Sequence, residues 1–165
     1  MNTFTSIIHI LTLLSTALMA GLFFSYSFSV NSGLSQLNDS AYLLAMQSIN
    51  RAILNPVFFI CFFGTVVLLP LNSYLQYNGK LTINFTLYSL SAAFYVIGLF
   101  GITVLGNVPL NDTLNAFDIG TASQEAVSGM RETFEGPWNK WHSIRTAAVF
   151  VSLLLLSIAS VLPKR

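Results

Sequence analysis

Four long apolar runs, at residues 5–30, 56–77, 81–106 and 144–162, decide most of what this chain can become. Each reaches or approaches the roughly 20 residues that cross about 30 Å of hydrocarbon. A segment in lipid has to satisfy its own backbone hydrogen bonds, so such runs fold as helices. Charge content points the same way. Only 8% of the 165 residues are charged, against about a quarter in an ordinary water-soluble domain. The expected fold is all-α: a four-transmembrane-helix bundle forming one integral membrane domain over residues 1–165. Its helices are expected at about 5–30, 41–77, 81–106 and 138–162, with a structured, partly helical cap between helices 3 and 4 over about 107–137.

The first run starts MNTFTSIIH, has no Lys or Arg ahead of it and no A-x-A-like site after it. It is therefore expected to stay as helix 1 and not to be removed as a leader. The one cysteine, Cys61, lies in PVFFICFFG and can form no intramolecular disulfide; it is expected to be a packing residue. A net charge of +1 provides no field for nucleic acid. Four crossings put both termini and the helix 2–3 turn on one side, with Lys80, Lys164 and Arg165. The other side has Arg51, Arg131, Lys140, Arg145 and all six acids. If Arg51 and Arg145 sit in a pocket, the lysine and arginine balance favours cytoplasmic termini, in the cytoplasmic membrane of a bacterium.

Along the chain, Ala17, Gly21, Ser25 and Ser29 recur at four-residue spacing, a pattern that suits a close helix–helix seam. Ser40 is placed to cap a helix that runs without a breaker into the second apolar run. Pro56 and Pro70 are expected to kink it. NGK at 78–80 is a tight turn. Gly106 is expected to stop helix 3, and Pro109 to open a short helix with Leu110, Leu114 and Phe117 on its apolar face. Thr121-x-x-Gln124 reads as a capping box for a second short helix that buries Val127, Met130 and Phe134 and ends at Gly136-Pro137. The Phe-rich VFFICFFG reads as a lipid-facing surface, with a partner face in a larger complex or a homo-oligomer as the other reading.

The chemistry gathers at one end. In GPWNKWHSIRT, Trp138, Trp141, His142 and Arg145 fall at i, i+3, i+4 and i+7, on one side of a helix. Antiparallel packing brings Asn107 and Asn111 from the end of helix 3, and Asn50, Arg51 and Asn55 from the start of helix 2, to the same end. Ser25, Tyr26 and Ser29 finish helix 1 there, whereas His9 lies at the opposite end with a structural role. Singly, each residue has a plainer reading: tryptophans anchor at membrane boundaries, arginines snorkel, asparagines cap turns. Together they suggest a polar pocket under an amphipathic lid. Two histidines near opposite membrane faces cannot share a metal or clamp a haem. No cofactor is expected, although haem or a single metal bond at His142 stays open. What remains is one base near neutrality, one permanent cation, stacking rings and amides, a set suited to a hydrophobic, planar phenolic or quinone-like molecule. A non-enzymatic small-molecule binder or an accessory subunit of a membrane complex is the alternative.

The segments AGLFFSYSFSVNSGL (20–34), AMQSINRAILNPVF (45–58), LGNVPLND (105–112) and W-x-x-WHSIRT (138–146) resemble the anthrone-oxygenase-like family of small four-helix membrane proteins. The resemblance spans nearly the whole chain. It implies the reaction of that family's named fungal members, oxidation of an anthrone to an anthraquinone by dioxygen. The matching site residues are Asn50, Asn55, Asn107, Asn111, Trp138, Trp141, His142 and Arg145. On that resemblance His142 would deprotonate the substrate, Arg145 would hold the phenolate, and the carbanion would meet dioxygen directly.

Overall fold

The structure is a computed structural model and describes residues 3–163; Lys164 and Arg165, which entered the charge balance, lie outside the described residues. The described chain is 86% helix, with no strand. We number five helices: α1 Thr3–Leu34, α2 Asp39–Ile53, α3 Pro56–Leu75, α4 Ile83–Ala116 and α5 Gln124–Val161. All but α2 are long and apolar enough to cross a membrane. Helices α1, α3, α4 and α5 pack cyclically, each against two neighbours in chain order and α5 back onto α1. Their outward faces carry Ile7, Leu14, Leu18, Val57, Ile60, Ile97, Leu105 and Leu154, all more than half exposed. Those faces need hydrocarbon and not water as their solvent. The protein is an integral membrane protein.

Two cores stack end to end. Met19, Phe23, Phe62, Tyr95, Leu99, Val149 and Leu156 fill the space between the four spanning helices. Leu34, Tyr42, Met46, Leu114, Val127, Phe134 and Trp138 form a second core beyond them, where α2 closes over the ends of α1, α4 and α5. The expected apolar faces of the cap are therefore the buried ones. Arg131 pins this layer, pairing with Asp39 at 3.1 Å and Glu135 at 2.7 Å and covering the Tyr42 ring at 4.5 Å. Burial, with the Glu135 carboxylate adding to it, pushes the Tyr42 phenol up from its ordinary value, so it stays neutral. At the far end His9 Nδ1 lies 3.2 Å from Asn72 Oδ1 and Nε2 3.0 Å from Ser160 Oγ, the structural role expected of it.

Several helix limits differ from the sequence expectation, each for a physical reason. The expected continuous helix over 41–77 is two helices. Pro56 disfavours helical backbone at the residue before it, and Asn55 is extended (φ −125°, ψ 159°) with its Oδ1 accepting from Phe58 N at 3.0 Å. The proline thus starts α3 at its first turn and does not kink a longer helix. Asn38, not Ser40, caps α2, and Ser123, not Thr121, caps α5. Helix 3 passes through Gly106 as π-helical turns, in which Val108 N–H bonds to Thr103 O, and Pro109 falls as expected in the first turn of the α-helical stretch Val108–Ala116 that continues it. Helix 4 starts at Gln124, because Phe134 and Trp138, buried on either side of Gly136-Pro137 and stacked at 6.3 Å, hold that stretch helical. Ala17, Gly21, Ser25 and Ser29 all face outward; the seam of α1 is instead Thr5, Thr12, Thr16, Met19, Ala20 and Phe23.

The cap at Asn55 gives a direct test of the break between α2 and α3. Asn55→Ala removes the acceptor for Phe58 N and should cost about 1 kcal/mol, while Asn55→Ser should retain most of the stability. Thermal unfolding in detergent reads the difference; equal melting temperatures for all three proteins would contradict the assignment.

Candidate functional site

Three stretches of π-helix frame the site: Tyr26–Val30 in α1, and Phe94–Gly101 and Thr103–Asn107 in α4. A π turn inserts a residue into the helical register and re-aims the side chains after it, which is why such turns gather at functional sites. Here they bring Tyr26, Ser27 and Thr103 to face α5, and Phe100 to face Phe62 and Phe63 of α3. The stripe of α5 that meets them is Trp138, His142 and Arg145, spaced four and three apart and all buried.

His142 is 2% exposed and lies between two parallel rings, Trp138 at 5.0 Å and Phe23 at 5.5 Å. Its Nε2 is 2.9 Å from Ser27 Oγ, and its Nδ1 is 3.2 Å from Arg145 Nη2. A guanidinium only donates, so Nδ1 presents its lone pair and the proton of the neutral ring sits on Nε2. Ser27 Oγ accepts that proton and donates its own to Phe23 O at 3.0 Å. The imidazole is thus held in one tautomer with its basic atom already engaged by Arg145.

Arg145 is 8% exposed. Its Nη1 donates to Thr103 Oγ1 at 3.3 Å, and the guanidinium lies 4.9 Å above the Phe23 ring and 5.1 Å above the Trp138 ring. Among the described residues the ion pairs both belong to Arg131, so this cation has no carboxylate. Its Nε is buried without a hydrogen-bond partner among the described residues, and so is Nδ2 of Asn50.

These groups end a cavity of about 360 Å³ whose other walls are mostly apolar, among them Phe58, Phe62 and Phe100. The volume falls in the range of about 300–1,000 Å³ usual for small-molecule sites. Of the residues singled out from sequence, Asn50, Asn111, Trp138, His142 and Arg145 line it. Asn111 fixes the indole, accepting from Trp138 Nε1 at 2.8 Å, and Asn107 stands behind the wall, donating to Trp138 O at 3.1 Å.

The rest go elsewhere. Asn55 is the helix cap described above. Trp141 is 37% exposed and off the cavity, because three residues from Trp138 leave it flanking the stripe; there it packs on Gly106, where a Cβ would stand 2.8 Å from the indole. Arg51 is exposed and does not line the cavity, so it rejoins the surface charges and the imbalance favouring cytoplasmic termini disappears. Phe23, Ser27, Thr103 and Thr146 were not singled out. Ser27 lies one residue from Tyr26, but only the π turn shows which residue there faces α5.

No group of three or more His, Cys, Asp or Glu that could hold a metal ion occurs among the described residues. Neither a curated protein nor a solved structure matches the chain. The sequence model of the anthrone oxygenase family matches residues 53–155, a segment that contains the whole Trp138–His142–Arg145 stripe and the α4 wall opposite it. With more than half its length matched, the chain belongs to the anthrone oxygenase family.

Proposed function

We propose that the protein is a membrane oxygenase that uses dioxygen on a flat, hydrophobic phenolic or quinone-like substrate held against Trp138. One observation carries this reading: a buried guanidinium at the edge of an apolar cavity, with no carboxylate paired to it among the described residues. Such a cation is most useful where negative charge develops on a substrate. Family membership suggests the reaction class, conversion of an activated ring methylene to a carbonyl.

In this route His142 takes one proton from the methylene. At rest its Nδ1 lone pair is engaged by Arg145; the developing oxyanion draws those N–H groups to itself and frees the base, so base strength is released only with substrate present. The carbanion passes its electron pair to dioxygen in two one-electron steps, as triplet dioxygen requires. A C–O bond forms, and the resulting peroxide takes up a proton. Loss of the second methylene proton with cleavage of the O–O bond leaves C=O and releases water. Two C–H bonds are lost and no outside reductant is consumed. The route draws on no metal or organic cofactor.

The test is dioxygen uptake by protein in liposomes supplied with an anthrone. His142→Gln keeps polar atoms towards Ser27 and Arg145 but provides no base, and both it and His142→Ala should lose about 10²–10⁴-fold in rate. Full turnover in both variants would remove His142 from the role of base. Wild-type uptake no faster than protein-free liposomes would instead favour a non-enzymatic binder or accessory subunit.

A further inference from the structure

The cavity has two unlike ends. Leu54, Phe59, Phe63, Val104 and Val108, with Leu22 of α1 beside them, line it yet are 38–61% exposed, whereas Asn50 and Arg145, which also line it, are 6% and 8% exposed. The open end is entirely apolar, and it lies on the side of the molecule. Helix α3 packs closely along Ile83–Ala93 of α4, meets Phe94–Gly101 mainly through Tyr95 on Phe62 O and Phe100 against Phe62 and Phe63, and parts from α4 beyond them, along Thr103–Asn107. Phe63 sits two turns beyond Pro56, roughly 10 Å along the axis, inside a helix long and apolar enough to span the membrane. A mouth at that depth faces hydrocarbon.

The closed end states what it accepts. The buried polar atoms there that lack partners among the described residues are Arg145 Nε and Asn50 Nδ2, both donors. Neither atom is open to the cavity in this conformation, so a ligand satisfies them by drawing the Arg145 and Asn50 side chains towards acceptor oxygens of its own. Burying such donors unpaired is costly, so an analogue without the oxygens forfeits much of its binding.

We infer that the site is loaded sideways from the bilayer through the gap between α3 and α4, by a flat, lipid-dissolved molecule that carries acceptor oxygens to both Arg145 and Asn50. This rests on the proposed function for the choice of cavity but concerns binding alone.

The experiment reads binding without turnover. In a Cys61→Ala, Trp141→Phe background Trp138 is the one tryptophan left, and 2-methyl-1,4-naphthoquinone dissolved in the liposomes quenches it on arrival. Phe59→Cys and Val104→Cys are then joined by a reducible bis-thiosulfonate. The expected result is at least about a tenfold slower quenching after cross-linking, restored in the same sample by reductant, with neither single cysteine variant affected. Quenching at an unchanged rate in the cross-linked protein would overturn the lateral route, and no quenching of the open protein would overturn the ligand class. 2-Methylnaphthalene, which lacks both oxygens, should compete at least about tenfold more weakly than the quinone; equal competition contradicts the role of the two donors. A protein that binds the quinone this way but never consumes dioxygen contradicts the oxygenase reading alone. One that consumes dioxygen and still loads when cross-linked contradicts the lateral route alone.

Discussion

Arg145→Met should lower dioxygen-dependent turnover by about 10²–10³-fold while leaving the unfolding free energy within about 1 kcal/mol of wild type. The two halves of this expectation come from the same burial. A cation removed from water carries a desolvation cost of several kcal/mol, and Arg145 offsets it with rings and neutral acceptors only. It donates to Thr103 and His142 and lies over Phe23 and Trp138. Each ring contact contributes about 2 kcal/mol or somewhat more once desolvated, so losing all of these is largely offset by losing the desolvation. Met has a similar length and no charge to bury. Turnover has no such compensation, because the developing oxyanion loses its cation. An arginine kept for architecture would behave in the opposite way, with a fall of several kcal/mol in stability and activity falling only as the protein unfolds. Thermal unfolding and initial uptake rates on the same reconstituted samples separate the two.

Gly98→Leu should destabilise the spanning region by about 3 kcal/mol, the upper end of the usual cost of overpacking. A Cβ at Gly98 would stand 2.7 Å from Ala148 Cβ on α5. No rotamer change relieves that contact, since a Cβ moves only with its backbone, so α4 and α5 have to separate. Small residues at such crossings are what let membrane helices approach closely. Gly98→Ala should cost about 1–2 kcal/mol, and adding Ala148→Gly should recover most of it, because the second change removes the atom struck by the first. Unfolding of the four proteins of this cycle in detergent supplies the measurement. Equal stability of Gly98→Ala and wild type would show that the helices have slack at this crossing. Ala148 also lies one turn from Arg145, so separation there should slow turnover as well.

Much of this was legible in the chain because membrane burial writes long, simple patterns. The four spans follow from run length, and the stripe of Trp138, His142 and Arg145 follows from helical period once antiparallel packing places it opposite α4. Helix ends were less legible, because Gly and Pro are local signals that packing overrides. Gly106 reads as a stop but lets the Trp141 ring approach α4, and Gly136-Pro137 reads as a stop but is carried through by Phe134 and Trp138. The break before Pro56 went the other way: Asn55 reads as a pocket amide and serves as a cap. The outward stripe at Ala17, Gly21, Ser25 and Ser29 has the spacing of a seam, yet Thr12, Thr16 and Ala20 on another face of the same helix make the contact. Ser27 was hidden most deeply, since the extra residue of a π turn leaves no mark in hydropathy.

The most direct measurement of the central claim is an experimental structure of the protein in lipid nanodiscs with an anthrone or its quinone product bound. The ligand is expected within the walls of Trp138, Phe58 and Phe62, with one oxygen at hydrogen-bonding distance from the Arg145 guanidinium and a second beside the Asn50 amide. A ligand bound outside that cavity, or one whose oxygens point away from Arg145 towards the lipid, would contradict it.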